Sequence, residues 1–300
     1  MTATLVSGGT GLVGRFIVEG LLEAGHDVTV LARTPPSSGF FSRPARFISS
    51  ALDPGRDQQA VFAGIDHFVH AAFDHVTGKY RGGEGSDPAS FARRNYDGSM
   101  ALLKDAKAAG VRRAVFLSSR AVYGPLPPGA LAKEDDELQP SSLYGEIKCA
   151  TERALAAMRA PGFLPVSLRV TGVYGPAAPG RRHKWSDLFD DFAAGRPIDP
   201  RVGTEVHGAD LADAVRLVLE ATAETLVASA QPPNPAGIVF NVSDILLDRC
   251  DLLQAYAAQT GLKQPLPEKA DASAFTAMDC SRLHALGWTP GGVLDLSGMY

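Results

Sequence analysis

Cysteine is scarce in this chain: Cys149, Cys250 and Cys280 stand far apart, with no C-x-x-C between any two of them. That pattern excludes a disulfide framework and a thiolate metal site, and it leaves all three as packing residues. Long apolar runs are missing as well, since none reaches the ~18–20 residues of a membrane span. The first strand starts by Thr4, which leaves no room for a signal peptide ahead of it, so a cytoplasmic protein with no membrane partner is expected. A large excess of charge is the third absence. The net charge of −4 argues against a nucleic-acid groove or an anionic membrane surface as the main partner. His67, His70 and His75 lie close in sequence, but 67 and 70 fall on a strand, where a spacing of three points them to opposite faces, so no metal site is expected.

What is present is an ordinary globular composition. With 300 residues, 45% hydrophobic and 21% charged, the chain can bury a core for one domain of about 150–200 residues plus a smaller one. Its organising stretch is Ser7-Gly8-Gly9-Thr10-Gly11-Leu12-Val13-Gly14, where the apolar run Thr4-Leu5-Val6 gives way to a helical pattern at Phe16, Ile17, Leu21 and Leu22. Glycines at 8, 11 and 14 clear side chains from a backbone that a phosphate must approach, and the amides and dipole of the new helix favour negative charge. Spaced glycines also suit a plain tight turn. The second apolar run, Val28–Ala32, closes a strand–helix–strand unit and favours the pyrophosphate.

The unit then repeats. Strands are expected at 46–48, 67–70, 114–117, 165–168 and 238–242, with helices at 88–110, 145–159 and 186–194 and a helical pattern over 206–220. Unalternated strands separated by helices mean a parallel sheet covered on both faces, a Rossmann-type doubly wound α/β fold. Residues 1–175, completed by about 204–242, form the expected dinucleotide-binding domain. Residues 176–203 and 243–300 form a smaller, substrate-binding one of helices and turns, joined through a polar, proline-rich connection at 231–235. Arg33 ends the second strand nineteen positions after Gly14, where an acid would grip the ribose 2′-OH of NAD. With no acid there, a guanidinium suits a 2′-phosphate, which favours NADP over NAD.

Tyr144 and Lys148 are four apart at the start of a helix whose expected apolar face carries Ile147, Ala150, Ala154, Leu155 and Met158, so phenol and ammonium leave the same side. A cation ~4 Å away at an effective dielectric of ~20 contributes roughly 4 kcal/mol, enough to bring a phenol into range as an acid–base group. Ser118 and Ser119 close the fifth strand at the carboxyl end of the sheet, where open α/β folds place ligands.

Together these residues resemble the extended short-chain dehydrogenase/reductase family, also called the NAD-dependent epimerase/dehydratase family. The resemblance runs nearly end to end, through Ser7–Gly14, His70-Ala71-Ala72, Asn95–Ser99, Ser118–Gly124, Tyr144–Lys148, Arg169–Pro176, Val206–Ala212, Val239–Val242 and Leu286–Pro290. It implies Tyr144 as the acid–base residue, Ser119 as the hydroxyl that polarises the reacting oxygen, and Lys148 as both ribose ligand and tuner of the phenol. The cofactor contacts it implies are Gly8, Thr10, Gly11, Leu12, Val13 and Gly14 at the turn, then Arg33, Asp53, His70, Ala71 and Ala72. Asn95, Leu117, Tyr144, Lys148, Val170, Gly172 and Val173 follow. A homodimer through the Asn95 and Tyr144 helices is likewise implied.

The departures bear on substrate. Ser119 is followed by Arg120-Ala121, not by the Asp-Glu of sugar dehydratases. The asparagine and arginine with which members hold a nucleotide diphosphate correspond to Gly172 and Gly203, leaving Arg181, Arg182, Lys184 or Arg201 as substitutes. Ala51 replaces the aspartate that meets the adenine. The expected activity is hydride transfer with NADP or NAD at a carbinol or ketone carbon of a sugar-like or other small polyol substrate. A nucleotide-sugar epimerase without net redox, and a non-catalytic NADP-sensing module, are the alternatives.

Overall fold

The computed structural model describes residues 2–75, 83, 85–230 and 235–300, so the expected 231–235 connection lies outside the described residues apart from Pro235. Its strands are β1 (Ala3–Ser7), β2 (Asp27–Ala32), β3 (Arg46–Ser49), β4 (His67–His70), β5 (Arg113–Ser119) and β6 (Leu131–Ala132). β7 (Leu164–Val170), β8 (Gly172–Tyr174), β9 (Val202–His207), β10 (Ile238–Val242), β11 (Ile245–Asp248) and β12 (Ala277–Met278) complete them. Between them run α1 (Leu12–Glu23), α2 (Pro88–Ala92), α3 (Gly98–Ala108), α4 (Leu143–Ala157) and α5 (Ser186–Ala193). α6 (Gly208–Glu220), α7 (Ala223–Ser229), α8 (Arg249–Thr260) and α9 (Ser281–Ala285) follow.

Seven strands pair in the order β10-β7-β5-β4-β1-β2-β3, every neighbour parallel. Alternate side chains feed the two faces. Val6 joins Ile17, Leu21, Leu211 and Val215 under α1 and α6, while Leu5 joins Phe68, Leu102, Leu103 and Leu155 under α3 and α4. Helices α1 and α6 approach closely because Gly20 has no side chain: a Cβ there would lie 2.7 Å from that of Ala212. Strand order reverses at β1, which has β2 on one side and β4 on the other, and that opens a crevice at the carboxyl ends of β1 and β4.

Three expectations need correction. Residues 206–220 are not one helix: Val206 and His207 end β9, and His207 caps α6 by accepting the Ala209 N–H on Nδ1 at 3.3 Å. The 88–110 helix is interrupted by a π-turn at Arg93–Asp97. The remainder of the chain is not only helices and turns, for β11, β9 and β8 form a small sheet of their own and β12 pairs with β6. A separate aromatic cluster backs that small sheet, with Tyr174, Trp185, Phe189 and Phe192 packed on Leu252, Leu253, Leu296 and Met299.

Candidate active site

The glycine turn is built by steric necessity. Gly8 sits at φ +73°, and a Cβ there would come within 2.7 Å of the Ala72 Cα, while one on Gly14 would run into the Gly8 carbonyl. The Gly8 N–H is fixed on Leu31 O at 2.8 Å and the Gly11 N–H on Gly8 O at 2.9 Å. Gly11 caps α1 without a side-chain hydrogen bond, so the first amides of a twelve-residue helix face the crevice with their dipole. This cradle fits a pyrophosphate.

Beside it, Ser7 Oγ lies 2.7 Å from His70 Nδ1 and accepts weakly from Ala72 N–H at 3.4 Å, tying the turn to the segment after β4. The resemblance places His70 against the cofactor, but its side chain is fully buried between Phe68 and Phe116. Burial, helped by the Lys148 charge, lowers its pKa to about 3 and keeps the imidazole neutral. The backbone of Ala71 and Ala72 lies directly beside the Gly8 turn.

Arg33 is mostly exposed and is not without an acid: its Nη1 donates to Asp74 Oδ1 at 3.0 Å. Arg94 holds the other oxygen of the same carboxylate at 2.6 Å. Asp74 comes from the segment after β4, beyond the reach of local sequence spacing. Asn95, buried at 1% exposure, holds that segment in place. Its Oδ1 accepts from the Asp74 N–H at 2.6 Å, and its Nδ2 donates to the carbonyls of Asp74 and Phe91. Asn95 is therefore a brace, with its amide committed to the backbone. Asp53 is similarly occupied, since its Oδ1 caps the Gly55 N–H at 2.9 Å.

Helix α4 starts where Ser142 Oγ accepts the Gly145 N–H, and this sets Tyr144 and Lys148 on the sheet side. The Lys148 ammonium donates to Leu117 O at 2.6 Å and is otherwise walled by rings, at 4.5 Å from the centre of Phe73, 4.7 Å from Phe116 and 5.7 Å from Tyr144. Burial lowers its pKa to about 7 against the opposing pull of Glu152. Phe73, which the sequence did not single out, also meets the Tyr144 ring edge-on at 5.0 Å and thereby touches both members of the pair.

Ser119 ends β5 in register with Val170, and its Oγ accepts the Ala121 N–H at 3.2 Å. Ser118 points the other way, its Oγ buried with no hydrogen-bond partner among the described residues. Beneath α4 lies a buried polar network. Arg169 and Glu152, both at 0% exposure, pair at 2.9 Å. Arg169 also donates to the Tyr123 hydroxyl at 3.0 Å, which in turn donates to Asn241 Oδ1 at 2.6 Å. A buried pair so fully hydrogen-bonded fixes the ends of β7, β10 and α4 relative to one another.

Two residues beyond the end of β7 the Lys184 ammonium and the Glu205 carboxylate form an ion pair over Gly172, and a Cβ on that glycine would collide with both. Gly203, by contrast, faces open space. Arg182 is turned outward onto Asp187 and Asp190. Cys149 and Cys280 are buried free thiols, and Cys250 is a half-buried one.

A family model described as the NAD dependent epimerase/dehydratase family matches residues 4–229. The chain is similar to the UDP-glucose 4-epimerase of Streptomyces lividans, at 32% identity over 70% of this chain and 69% of that one. Among solved structures it superposes on MoeE5 in complex with UDP-glucose and NAD, with a TM-score of 0.76, 25% identity and coverage of 97% and 94% of the two chains. It superposes equally on the UDP-glucose 4-epimerase of Thermus thermophilus in complex with NAD, with a TM-score of 0.76, 26% identity and 99% and 96% coverage.

Proposed function

The chain belongs to the NAD dependent epimerase/dehydratase family, and from that premise we propose an enzyme that moves hydride between a nicotinamide cofactor and a carbinol or ketone carbon of a sugar-like polyol. The observation that carries the reading is Lys148, fixed on Leu117 O and sharing α4 with Tyr144 at the carboxyl end of the sheet. The cofactor supplies the hydride acceptor or donor. Tyr144 takes or returns the hydroxyl proton, Ser119 holds the same oxygen, and the Lys148 charge favours the ionised phenol. The glycine cradle and the first amides of α1 hold the pyrophosphate, with Ala71 and Ala72 closing over it. Leu117, Val170 and Val173 line the approach.

For the adenosine end we favour NAD over the NADP expected from Arg33 alone. Asp74 supplies the acid that the end of β2 lacks, and a 2′-phosphate would have to displace it from Arg33 and Arg94 together. NAD is also what MoeE5 and the Thermus enzyme bind in their complexes. A homodimer through α3 and α4 is part of the reading. Their outer faces expose the small residues Ala108, Ala150 and Ala157 beside Lys104, Glu146 and Arg153, which allows close helix approach with paired charges. So is a cytoplasmic location; among the described residues no helix is long and apolar enough to cross a membrane.

Epimerisation of a nucleotide sugar is the second reading, favoured by the names of the relatives. Turnover decides between the two. Nicotinamide absorbance that changes in step with substrate over many turnovers supports net oxidation or reduction, whereas interconversion of a UDP- or dTDP-sugar at constant absorbance supports the epimerase. An absence of turnover with either class, in protein that binds NAD, would favour a sensing role.

A further inference from the structure

We propose that the Lys184–Glu205 ion pair over Gly172 is a charge filter that admits the hydroxyls of an uncharged sugar or polyol and excludes a nucleoside diphosphate. The inference rests on the hydride-transfer reading of this site. Its position follows from register. Ser119 pairs with Val170, Gly172 lies two residues further along the chain where β8 enters the small sheet, and Glu205 is the ladder partner of Gly172. Two residues of chain and one strand spacing place Gly172 within roughly 12 Å of the Ser119 backbone. The pair therefore flanks the space a substrate must enter to reach Ser119 and Tyr144.

Both charges are largely withdrawn from water, with side-chain exposures of 22% for Lys184 and 14% for Glu205, and the Trp185 ring lies 5.7 Å from the ammonium. A side chain at residue 172 would displace both groups from this position, so the glycine is what lets the pair sit directly on this strand. A diphosphate arriving here meets a fixed carboxylate at short range. If it captured Lys184, it would leave Glu205 desolvated and unpaired, which is a large cost. Gly203 supplies no cation and Arg182 is engaged by Asp187 and Asp190, while Arg201, whose charge reaches Lys184, is exposed and screened by water. A sugar hydroxyl has no such conflict, because it donates to Glu205 or accepts from Lys184 while the ion pair stays intact.

The test is calorimetric titration of UDP-glucose into NAD-loaded protein, comparing wild type, Glu205→Gln, Lys184→Gln and the double variant. Wild type is expected to bind UDP-glucose weakly. Glu205→Gln, which keeps the shape and uncovers the ammonium, should tighten binding at least tenfold. The double variant should lose that gain. Tight binding by wild type that Lys184→Gln abolishes would make Lys184 a phosphate ligand and overturn the proposal, as would unchanged affinity in Glu205→Gln or a gain that persists in the double variant. NAD affinity measured in each variant reports its folding. The titration reads no hydride transfer, so failure of the filter and failure of the proposed chemistry are separately visible.

Discussion

Lys148 donates to the carbonyl of Leu117 at 2.6 Å while almost wholly enclosed, and this places a cation where water cannot support it. Its pKa falls to about 7 in the folded protein from an ordinary value of 10.5. Between those two pH values the unfolded chain binds the proton and the folded one does not, so stability contributed at this position rises with pH across that window. Below pH 7 the full cost of the buried charge is present. Lys148→Met should therefore be more stable than wild type by about 1–3 kcal/mol near pH 6, and the difference should shrink toward pH 10. Denaturant unfolding at three pH values measures it. A difference independent of pH would mean that the charge is not what limits stability here.

Removing the phenol tests the chemistry itself. Tyr144→Phe keeps the ring that packs edge-on against Phe73, so fold and NAD affinity should persist. Turnover should fall by about 10²–10⁴, the usual worth of general acid–base catalysis. Steady-state rates together with a cofactor titration separate these effects, and full activity in the variant would remove Tyr144 from the mechanism.

Phe73 should act on the Lys148 charge through its face. The charged or titratable groups near the ammonium are Tyr144 and Glu152 on its own helix and His70 on β4, the last held neutral by burial. Phe73→Leu keeps apolar volume but loses a cation–π contact worth about 0.5–2 kcal/mol, so the basic limb of the pH–rate profile should move down by roughly 0.5–1.5 pH units. Phe73→Tyr should leave it in place. A loss of rate without any shift would reduce Phe73 to packing.

The parts of this site carried by one short stretch were legible in the sequence. The glycine turn was one of them, because a strand ending and a helix beginning within eight residues leave few geometries. The Tyr144–Lys148 pair was another, because a spacing of four fixes one helical face. Contacts between distant stretches were not legible. Nothing local announces that Asp74 returns to Arg33, that Phe73 faces Lys148, or that Lys184 and Glu205 meet over Gly172. The apolar pattern also carries α6 back over Val206, a residue apolar in either state, and only the ladder to β8 and β11 assigns it to a strand. His70 and Asn95 have side chains that suit a ligand, and their burial and internal hydrogen bonds show only in three dimensions.

On the proposed NAD reading, cofactor choice turns on one carboxylate. Asp74 lies 3.0 Å from Arg33 and 2.6 Å from Arg94; all three are partly exposed, so each pairing is screened and worth little to stability. Their effect on selectivity is larger, because a 2′-phosphate and the Asp74 carboxylate compete for the same two guanidinium groups. Wild type should bind NAD at least as tightly as NADP. Asp74→Asn keeps the backbone hydrogen bonds to Asn95 within reach but frees both arginines, and it should tighten NADP binding about tenfold while changing NAD binding little. Arg33→Ala on that background should cancel the gain. Calorimetry with the two cofactors measures all three proteins. If wild type already prefers NADP and Asp74→Asn leaves that preference unaltered, the carboxylate is a bystander and Arg33 alone selects the cofactor.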